Sequence, residues 1–228
     1  MKLKKVLTNS IILTMIMFVF LASVFLPNAS ISVSVKIPTY KGSSEDKVSL
    51  MFNVYWGTEY VEPILAVLDS YEIKTTFFMG GSWVEKNHEL AKEIYARGHE
   101  LGNHGYFHKD HKKLSDAENR NEILTCQKIV KAVVGVDMNL FAPPSGSFSQ
   151  KTLDIAEEMG YNIIMWSLDT IDWRDKDVSL IVRRATEKVG GGDLILMHPT
   201  QSTLEALPAI IEKISEKGLK IAKVSDVL

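Results

Sequence analysis

The chain has 228 residues, of which 46% are hydrophobic and 24% are charged, and its formal net charge is −2. This composition is typical of a globular protein with one well-buried domain. The nearly balanced charge and the lack of long basic runs exclude nucleic acid as an expected partner. The single cysteine, Cys126, excludes an intramolecular disulfide, and its helical apolar surroundings predict a core thiol.

The N-terminus carries a pattern of its own. Lys2, Lys4 and Lys5 precede the uncharged, mostly apolar run 10–26. A basic start followed by an apolar segment is typical of a secretory signal, and the run nearly reaches the length of a membrane span. Residues 1–30 are therefore predicted to be a signal peptide or a retained signal anchor. Either alternative predicts an extracytoplasmic protein, secreted or anchored to the membrane by this segment.

Polar residues follow, and then strands and helices alternate. Residues 31–46 are predicted to be a linker, and residues 47–228 a single domain. Strands are predicted at 47–54, 74–80, 99–104, 139–144, 161–167, 193–198 and 219–224. Helices are predicted at 58–71, 82–98, 116–134, 150–159, 177–189 and 203–217. Regular strand–helix alternation favours an α/β fold with a parallel sheet, either open or closed into a barrel.

Polar or otherwise distinctive residues recur where the predicted strands end. They are Asn53, His104, the pair Pro143 and Pro144, Asp169 with Asp172, and His198. The carboxyl ends of parallel strands meet at one edge of a sheet or barrel, where ligand sites gather. We therefore expect these side chains to share one site.

The histidines at that site allow two interpretations. His104 and His108 are four residues apart, a spacing that suits a metal site but is also compatible with a hydrogen-bonded turn. Asp110 and His111 could complete such a metal site, but the prediction is that they are exposed loop residues. His198 is either functional or a satisfied core histidine.

Motifs in order along the chain identify a resemblance. They are 98-GHELGNHGYFH-108, 141-FAPPSG-146, 167-SLDTIDW-173 and 192-GDLILMHP-199. Together they resemble the polysaccharide deacetylases of carbohydrate esterase family four, the NodB-homology domain, from about residue 48 to the end. The resemblance implies a distorted (β/α) barrel with fewer than eight repeats. It also implies metal-dependent removal of acetyl groups from a cell-wall or extracellular N-acetylhexosamine polysaccharide, such as peptidoglycan.

The resemblance also implies roles for individual residues. His104 and His108 match the two histidine ligands of a divalent metal, zinc first, with cobalt or manganese as alternatives. His198 matches the general acid that protonates the leaving amine, and Asp172 matches its carboxylate partner. Substrate-binding positions are matched by Pro143, Trp173 and Leu196.

The first motif departs from the family. The family has two aspartates, a general base and a metal ligand, where this chain reads 51-MFNVYWG-57. Asn53 stands at the catalytic base position, and an amide does not accept a proton at useful pH. Val54 stands at the metal-ligand position, and Ala142 replaces an arginine that holds the base. The ending at Tyr55 resembles a subgroup linked to sporulation.

Two functions follow from this mixture of retained and replaced residues. The first is a deacetylase weakened by loss of the base. The alternative is a catalytically inactive glycan-binding pseudoenzyme of the same fold.

Overall fold

The structure, a computed structural model, describes residues 11–18, 20–21 and 37–228. Residues 11–18 and 20–21 are helical, and they belong to a different compact unit from the one that contains residues 37–228. Within these described ranges, no helix has the length and hydropathy needed to cross a membrane. Most of the predicted signal segment and the first part of the predicted linker lie outside the described residues, so those assignments stay predictions.

The last part of the predicted linker pairs with the domain. Thr39 forms a parallel β-bridge with Ile164, and Lys41 forms an antiparallel bridge with Asp193. The Lys41 ammonium is also 3.0 Å from the buried Asp193 carboxylate. These contacts hold the chain against the sheet ahead of the first strand.

Eight parallel strand segments form the sheet. They are β1 Lys47–Val54, β2 Thr76–Met79, β3 Glu100–Asn103, β4 Leu140–Phe141, β5 Asn162–Ile163, β6 Leu168–Asp169, β7 Leu194–Met197 and β8 Lys220–Ile221. Their order is β5-β4-β3-β2-β1-β7-β6, with β8 also paired to β1. Curled into a half-barrel with helices outside, this sheet confirms the predicted distorted (β/α) barrel. Segment β6 was not predicted, because it begins just after the strand predicted over 161–167, of which only Asn162–Ile163 pair as β5.

Most of the helices cover the outside of the sheet, whereas the last, Val224–Val227, packs with Met51 in a smaller core on the inner side. The helices are α1 Thr58–Ser70, α2 Gly81–Lys86, α3 His88–Ala96, α4 Asp116–Val134, α5 Gln150–Glu158, α6 Val178–Thr186, α7 Gln201–Glu216 and α8 Val224–Val227. Helix α4 begins at a capping box in which Ser115 and Glu118 each bond the other's backbone N–H. The single helix predicted over 82–98 is wrong, because Asn87, at φ −131° and ψ 48°, separates α2 from α3.

The alternation of side chains along strand β1 explains which of them face the site. Successive side chains of a strand point to opposite faces. Phe52 and Val54 pack in the large core between sheet and helices, whereas Met51 packs in the smaller core enclosed by the sheet. Asn53, with the parity of Met51, therefore faces the inside of the half-barrel at the carboxyl end of the strand.

Candidate functional site

A cavity of about 500 Å³ opens at the carboxyl ends of the strands. Most of the residues proposed from the sequence meet in its lining: Asn53, His104, His108, Trp173, Leu196 and His198. The expectation that strand-end residues share one site is therefore supported by their positions. Pro143 is buried and does not line the cavity.

His104 is held as a neutral imidazole. Its Nδ1 lies 2.7 Å from the carbonyl oxygen of Ala142, so Nδ1–H donates and Nε2 keeps a free lone pair. The ring is 1% exposed, and burial holds its pKa well below the ordinary value. A histidine that donates one ring N–H to a carbonyl while the other nitrogen stays unprotonated is arranged as metal ligands usually are.

His108 completes a histidine pair on a tight turn. Its backbone has a φ of 56°, a left-handed conformation that few non-glycine residues adopt, and its ring centroid is 5.0 Å from that of His104. Burial lowers its pKa, so this ring is also held towards the neutral form. The other neighbour of the ring is Tyr55, with a centroid distance of 4.9 Å.

A buried carboxylate supports the turn between the two histidines. Glu122 of α4 is 2% exposed, and its Oε2 accepts the backbone N–H groups of Tyr106 at 3.0 Å and Phe107 at 2.7 Å. Lys109 lies 3.5 Å from the same carboxylate. These bonds explain how a strained turn is maintained, because each buried N–H would otherwise lack a partner.

The prediction that His111 is an exposed loop residue is wrong. The side chain is fully buried, and its Nδ1–H donates to the side-chain oxygen of Asn119 at 2.7 Å. Asn119 in turn donates to the backbone carbonyl of His111 at 3.1 Å. His111 thus fixes the loop to α4. Asp110 is partly exposed and accepts a hydrogen bond from Ser147.

Asp172 and His198 form a well-supported pair. His198 Nδ1 lies 2.8 Å from one carboxylate oxygen of Asp172. The second oxygen accepts the backbone N–H of His198 at 2.6 Å and the hydroxyl of Thr203 at 2.5 Å. Three donors on one carboxylate fix its orientation, so Nδ1–H of His198 is directed inwards and Nε2 is the ring nitrogen left for the cavity.

Asn53 is a buried amide with an unused acceptor. It is 4% exposed, and its side-chain oxygen has no hydrogen-bond partner among the described residues. An unpaired buried polar atom is costly, so Asn53 is a candidate for contact with a group that donates a hydrogen bond.

Val54 does not face the cavity. It is fully buried in the core beneath the helices, so the position matched to a metal ligand is directed away from His104 and His108. Tyr55 is the residue of this motif that lies against the histidine pair. Its ring contacts His108, and its hydroxyl donates to the carbonyl of Phe107 at 3.3 Å.

These donors do not fit the metal centre that the resemblance implies. His104 and His108 suit two coordination positions, but no carboxylate of the described part of the chain joins them. Among the described residues, no three or more His, Cys, Asp or Glu side chains are grouped so that they could hold a metal ion. Catalytic zinc sites usually have three protein ligands. Zinc, cobalt or manganese binding at this pair stays a prediction.

Aromatic side chains form much of the rest of the lining. Three of the four tryptophans border the cavity, namely Trp56, Trp166 and Trp173, while Trp83 lies in the core. Ser145 and Asp169 also line it. Trp166 and Ser145 were not assigned from the sequence; Ser145 lies in the 141–146 motif, which is the signal that could have identified it, whereas no motif contains Trp166.

Comparison with known proteins agrees with this geometry. Residues 40–164 match the family model of the polysaccharide deacetylase domain. An uncharacterized protein, YlxY, of Bacillus subtilis strain 168 is 40% identical over 192 residues, which cover 84% of this chain and 60% of that protein. A peptidoglycan-N-acetylglucosamine deacetylase of Bacillus cereus is 31% identical over 179 residues, covering 76% of this chain and 65% of that enzyme. The chain thus spans less than two thirds of the length of either relative.

The similarity extends to a solved structure. The crystal structure of a CE4 family pseudoenzyme from Bacillus anthracis superposes with a TM-score of 0.82 and 38% identity. The match covers 84% of this chain and 68% of the pseudoenzyme. Of these relatives, one is named a peptidoglycan-N-acetylglucosamine deacetylase and another a CE4 family pseudoenzyme. The family model, the relatives and the barrel together show that the chain belongs to the polysaccharide deacetylase family.

Proposed function

We propose that this domain binds N-acetylhexosamine chains of the cell wall, with peptidoglycan strands as the first candidate, and that it deacetylates them at most slowly. The observation that carries this proposal is the buried, unpartnered oxygen of Asn53 in the lining of an aromatic cavity. An acetamide N–H is the donor that this oxygen lacks. The same amide leaves the cavity without a proton acceptor at the position of the family's base.

The aromatic lining supports sugar as the ligand. Trp56 and Trp173 are 42% and 55% exposed, although large apolar side chains favour burial. An indole face suits the C–H face of a pyranose ring, and the polar atoms beside it suit sugar hydroxyls. Packing alone does not explain why both indole rings are exposed in this cavity.

A residual deacetylase is the second candidate, and the Asp172–His198 pair favours it. With Nδ1–H bonded to the carboxylate, His198 presents Nε2 to the cavity. When the ring is charged, that nitrogen can donate a proton to the leaving amine of an acetamide. Asn53, at the position of the family's base, cannot remove a proton from the attacking water. A missing general base typically costs about 10²–10⁴-fold in rate.

A location outside the cytoplasmic membrane is part of the proposal. The three N-terminal lysines and the apolar run after them support export, and peptidoglycan lies on that side of the membrane. Whether the segment is removed or retained as an anchor is a separate prediction. Membership of the sporulation subgroup stays a prediction too.

The test combines binding with acetate release. Residues 31–228 are incubated with peptidoglycan and with N-acetylglucosamine oligomers, with zinc, cobalt, manganese or chelator. Sedimentation with insoluble peptidoglycan measures binding, and an enzymatic acetate assay measures hydrolysis. We expect cosedimentation and no acetate above the level of the His198→Ala variant.

Each result separates the two candidates. Acetate release that depends on metal and is lost in both His104→Ala and His198→Ala would establish a deacetylase with a substitute base. Failure to bind peptidoglycan or any oligomer, with the fold intact by circular dichroism, would reject a glycan-binding role altogether.

A further inference from the structure

A groove lies at the end of the sheet opposite the histidine cavity. Its volume is about 700 Å³, and it is formed where the carboxyl ends of α1 and α7 meet strand β8. Strand β8 pairs with Lys47 and Val48, the first residues of β1 after the strap, so the groove lies at the amino ends of the strands. The groove and the histidine cavity share no lining residue, and the groove is therefore separate from the candidate glycan site.

Part of the groove lining is apolar. Ile73, Leu219 and Ile221 pack against the large core but are only partly buried. Beside them, Tyr71 is 38% exposed, and its hydroxyl donates to Glu212 at 2.9 Å. Covering these apolar side chains with those of a partner removes them from water, which favours association.

The exposed side of the groove is acidic. Glu72, Glu212 and Glu216 are exposed lining residues, and among the described residues no ion pair engages any of them. Lys220 also lines the groove, but its ammonium is 3.5 Å from the carboxylate of Asp46. The carboxyl ends of α1 and α7 add partial negative charge at the same place. The groove therefore attracts a basic partner and repels an acidic one.

Strand β8 has an open edge in this groove. It pairs with β1 only, and the N–H groups of Lys220 and Ala222 donate to the carbonyls of Asp46 and Val48. Because backbone groups alternate in direction along a strand, the N–H and C=O of Ile221 point away from β1. Neither group has a partner in the part of the chain that the structure describes. An unpaired strand edge is a template to which an extended segment can add as a further strand.

We propose that this groove is a docking site for an extended, basic segment of a partner polypeptide, which adds to the open edge of β8. Side chains of an added strand alternate between two directions. One set covers the apolar residues of the groove, and the other lies beside the three glutamates. The segment that fits is therefore one in which apolar and basic residues alternate.

The experiment measures binding of a fluorescent peptide in which lysine and isoleucine alternate. The full chain, kept in solution with a non-ionic detergent, is titrated into the peptide, and fluorescence anisotropy is recorded against a blank with detergent alone. A second peptide has glutamate in place of each lysine. We expect the lysine peptide to bind at least about tenfold more tightly, because two or three partly screened ion pairs together are worth roughly that factor. The difference should shrink at high salt.

A double variant, Glu72→Gln with Glu216→Gln, tests the acidic side of the groove. Affinity for the lysine peptide should fall by about fivefold, while affinity for the glutamate peptide should not fall. The matched control is Glu62→Gln with Glu187→Gln. These are also exposed glutamates that no ion pair engages among the described residues, but they lie outside the groove, so the net charge changes equally. The control should leave the affinity for the lysine peptide unchanged.

Methylation of the peptide backbone tests strand addition without altering the protein. The N–H groups of alternate residues lie on opposite edges of an extended peptide, so methylation of one set removes the donors that face β8 and methylation of the other set does not. We expect one methylated peptide to lose about tenfold in affinity and the other to bind as the parent peptide does.

Three results would overturn the proposal. Equal affinity for the lysine and glutamate peptides, or equal losses in the test and control variants, would show that the groove does not select a basic partner. Equal effects of the two methylation patterns would exclude strand addition. Self-association of the unaltered chain that the Glu72→Gln, Glu216→Gln variant abolishes, without peptide binding, would assign the groove to a second copy of the chain. Because the histidine cavity lies at the other end of the sheet, the same variant should still cosediment with peptidoglycan.

Discussion

At the scale of single residues, the proposed function assigns to Asn53 the acceptance of a hydrogen bond from the N-acetyl group of the ligand. Its replacement by leucine, which has a similar shape and no polar atoms, removes the unpaired oxygen. We expect Asn53→Leu to lower affinity for N-acetylglucosamine oligomers about tenfold, the effect of one buried hydrogen bond to the ligand. Affinity for de-N-acetylated glucosamine oligomers should change little, since the lost donor is the acetamide N–H.

The Asn53→Leu variant also provides a control for folding. Leucine relieves a buried polar atom, so the free energy of unfolding should stay equal or rise. Equal losses of affinity for acetylated and de-N-acetylated oligomers would show that Asn53 does not select the acetyl group. Calorimetry with both oligomer series decides between these results.

Tyr55 is the second residue whose position matters. The ring of Tyr55 lies against His108, whereas Val54 is buried in the core. A carboxylate introduced at position 55 can therefore join the histidine pair, and one at position 54 cannot. We expect Tyr55→Asp to bind zinc more tightly than the unaltered protein, by about tenfold or more, since two imidazoles and a carboxylate form a common three-ligand set. Calorimetric titration with zinc measures the change without reference to activity.

Two controls accompany the tyrosine variant. Tyr55→Phe keeps the ring without the hydroxyl and should leave zinc affinity as it is. Val54→Asp places a carboxylate in the hydrophobic core and should destabilise the fold instead of creating a ligand. Tighter zinc binding by Val54→Asp than by Tyr55→Asp would contradict the assignment.

At the scale of elements, the end of α1 shows a strained helix terminus. Glu72 is exposed and has a φ of 57°. Its N–H bonds the carbonyl of Asp69 at 3.0 Å, while Ile73 N–H bonds that of Leu68 at 2.9 Å. This is a Schellman motif with a glutamate at the position that normally carries glycine.

Glycine should therefore stabilise that helix end. We expect Glu72→Gly to raise the free energy of unfolding by about 1 kcal/mol, because glycine adopts a positive φ without a Cβ clash. The converse change, Gly135→Ala at the end of α4, should lower it by about the same amount. Gly135 has a φ of 88° and open space around its Cα, so strain alone is tested there. Urea denaturation followed by circular dichroism gives both values.

At the scale of the whole molecule, buried histidines couple stability to pH. Burial lowers the pKa of His99 to about 4 from its ordinary 6.5, and it lowers the pKa values of His104 and His111 as well. Below about pH 6.5 the unfolded chain takes up protons that the folded chain does not. The free energy of unfolding therefore falls as the pH drops, by about 2 kcal/mol at pH 5 for His99 alone.

Urea denaturation at pH 7.5 and pH 5.0 measures this loss. His99→Asn provides the control, because an asparagine oxygen can still accept the backbone N–H of Thr75 that now bonds Nδ1 at 3.2 Å. The variant should lose less stability between the two pH values than the unaltered protein. An identical loss in both would assign the acid sensitivity to other groups.

The barrel could be predicted from sequence because its strands and helices have local signals. Strand β1 and helix α4 begin and end where their patterns predict, helped by the capping box at Ser115. The break at Asn87 could not be predicted, since apolar periodicity continues across it. The core assignment of Cys126 is confirmed, and burial raises the pKa of its thiol to about 12.

The sequence by itself determined the fold class, the family resemblance and the gathering of Asn53, His104 and His198 at one edge, because strand–helix alternation dictates where strand ends meet. Only the tertiary structure decided which way side chains point. In the folded domain, Val54 packs in the core, Tyr55 lies against His108, and His111 is buried. The tertiary structure also brought Trp56, Trp166 and Trp173 to the lining of one cavity. Such directions depend on twist, packing and hydrogen bonds between segments far apart in the chain, which spacing along the sequence does not encode.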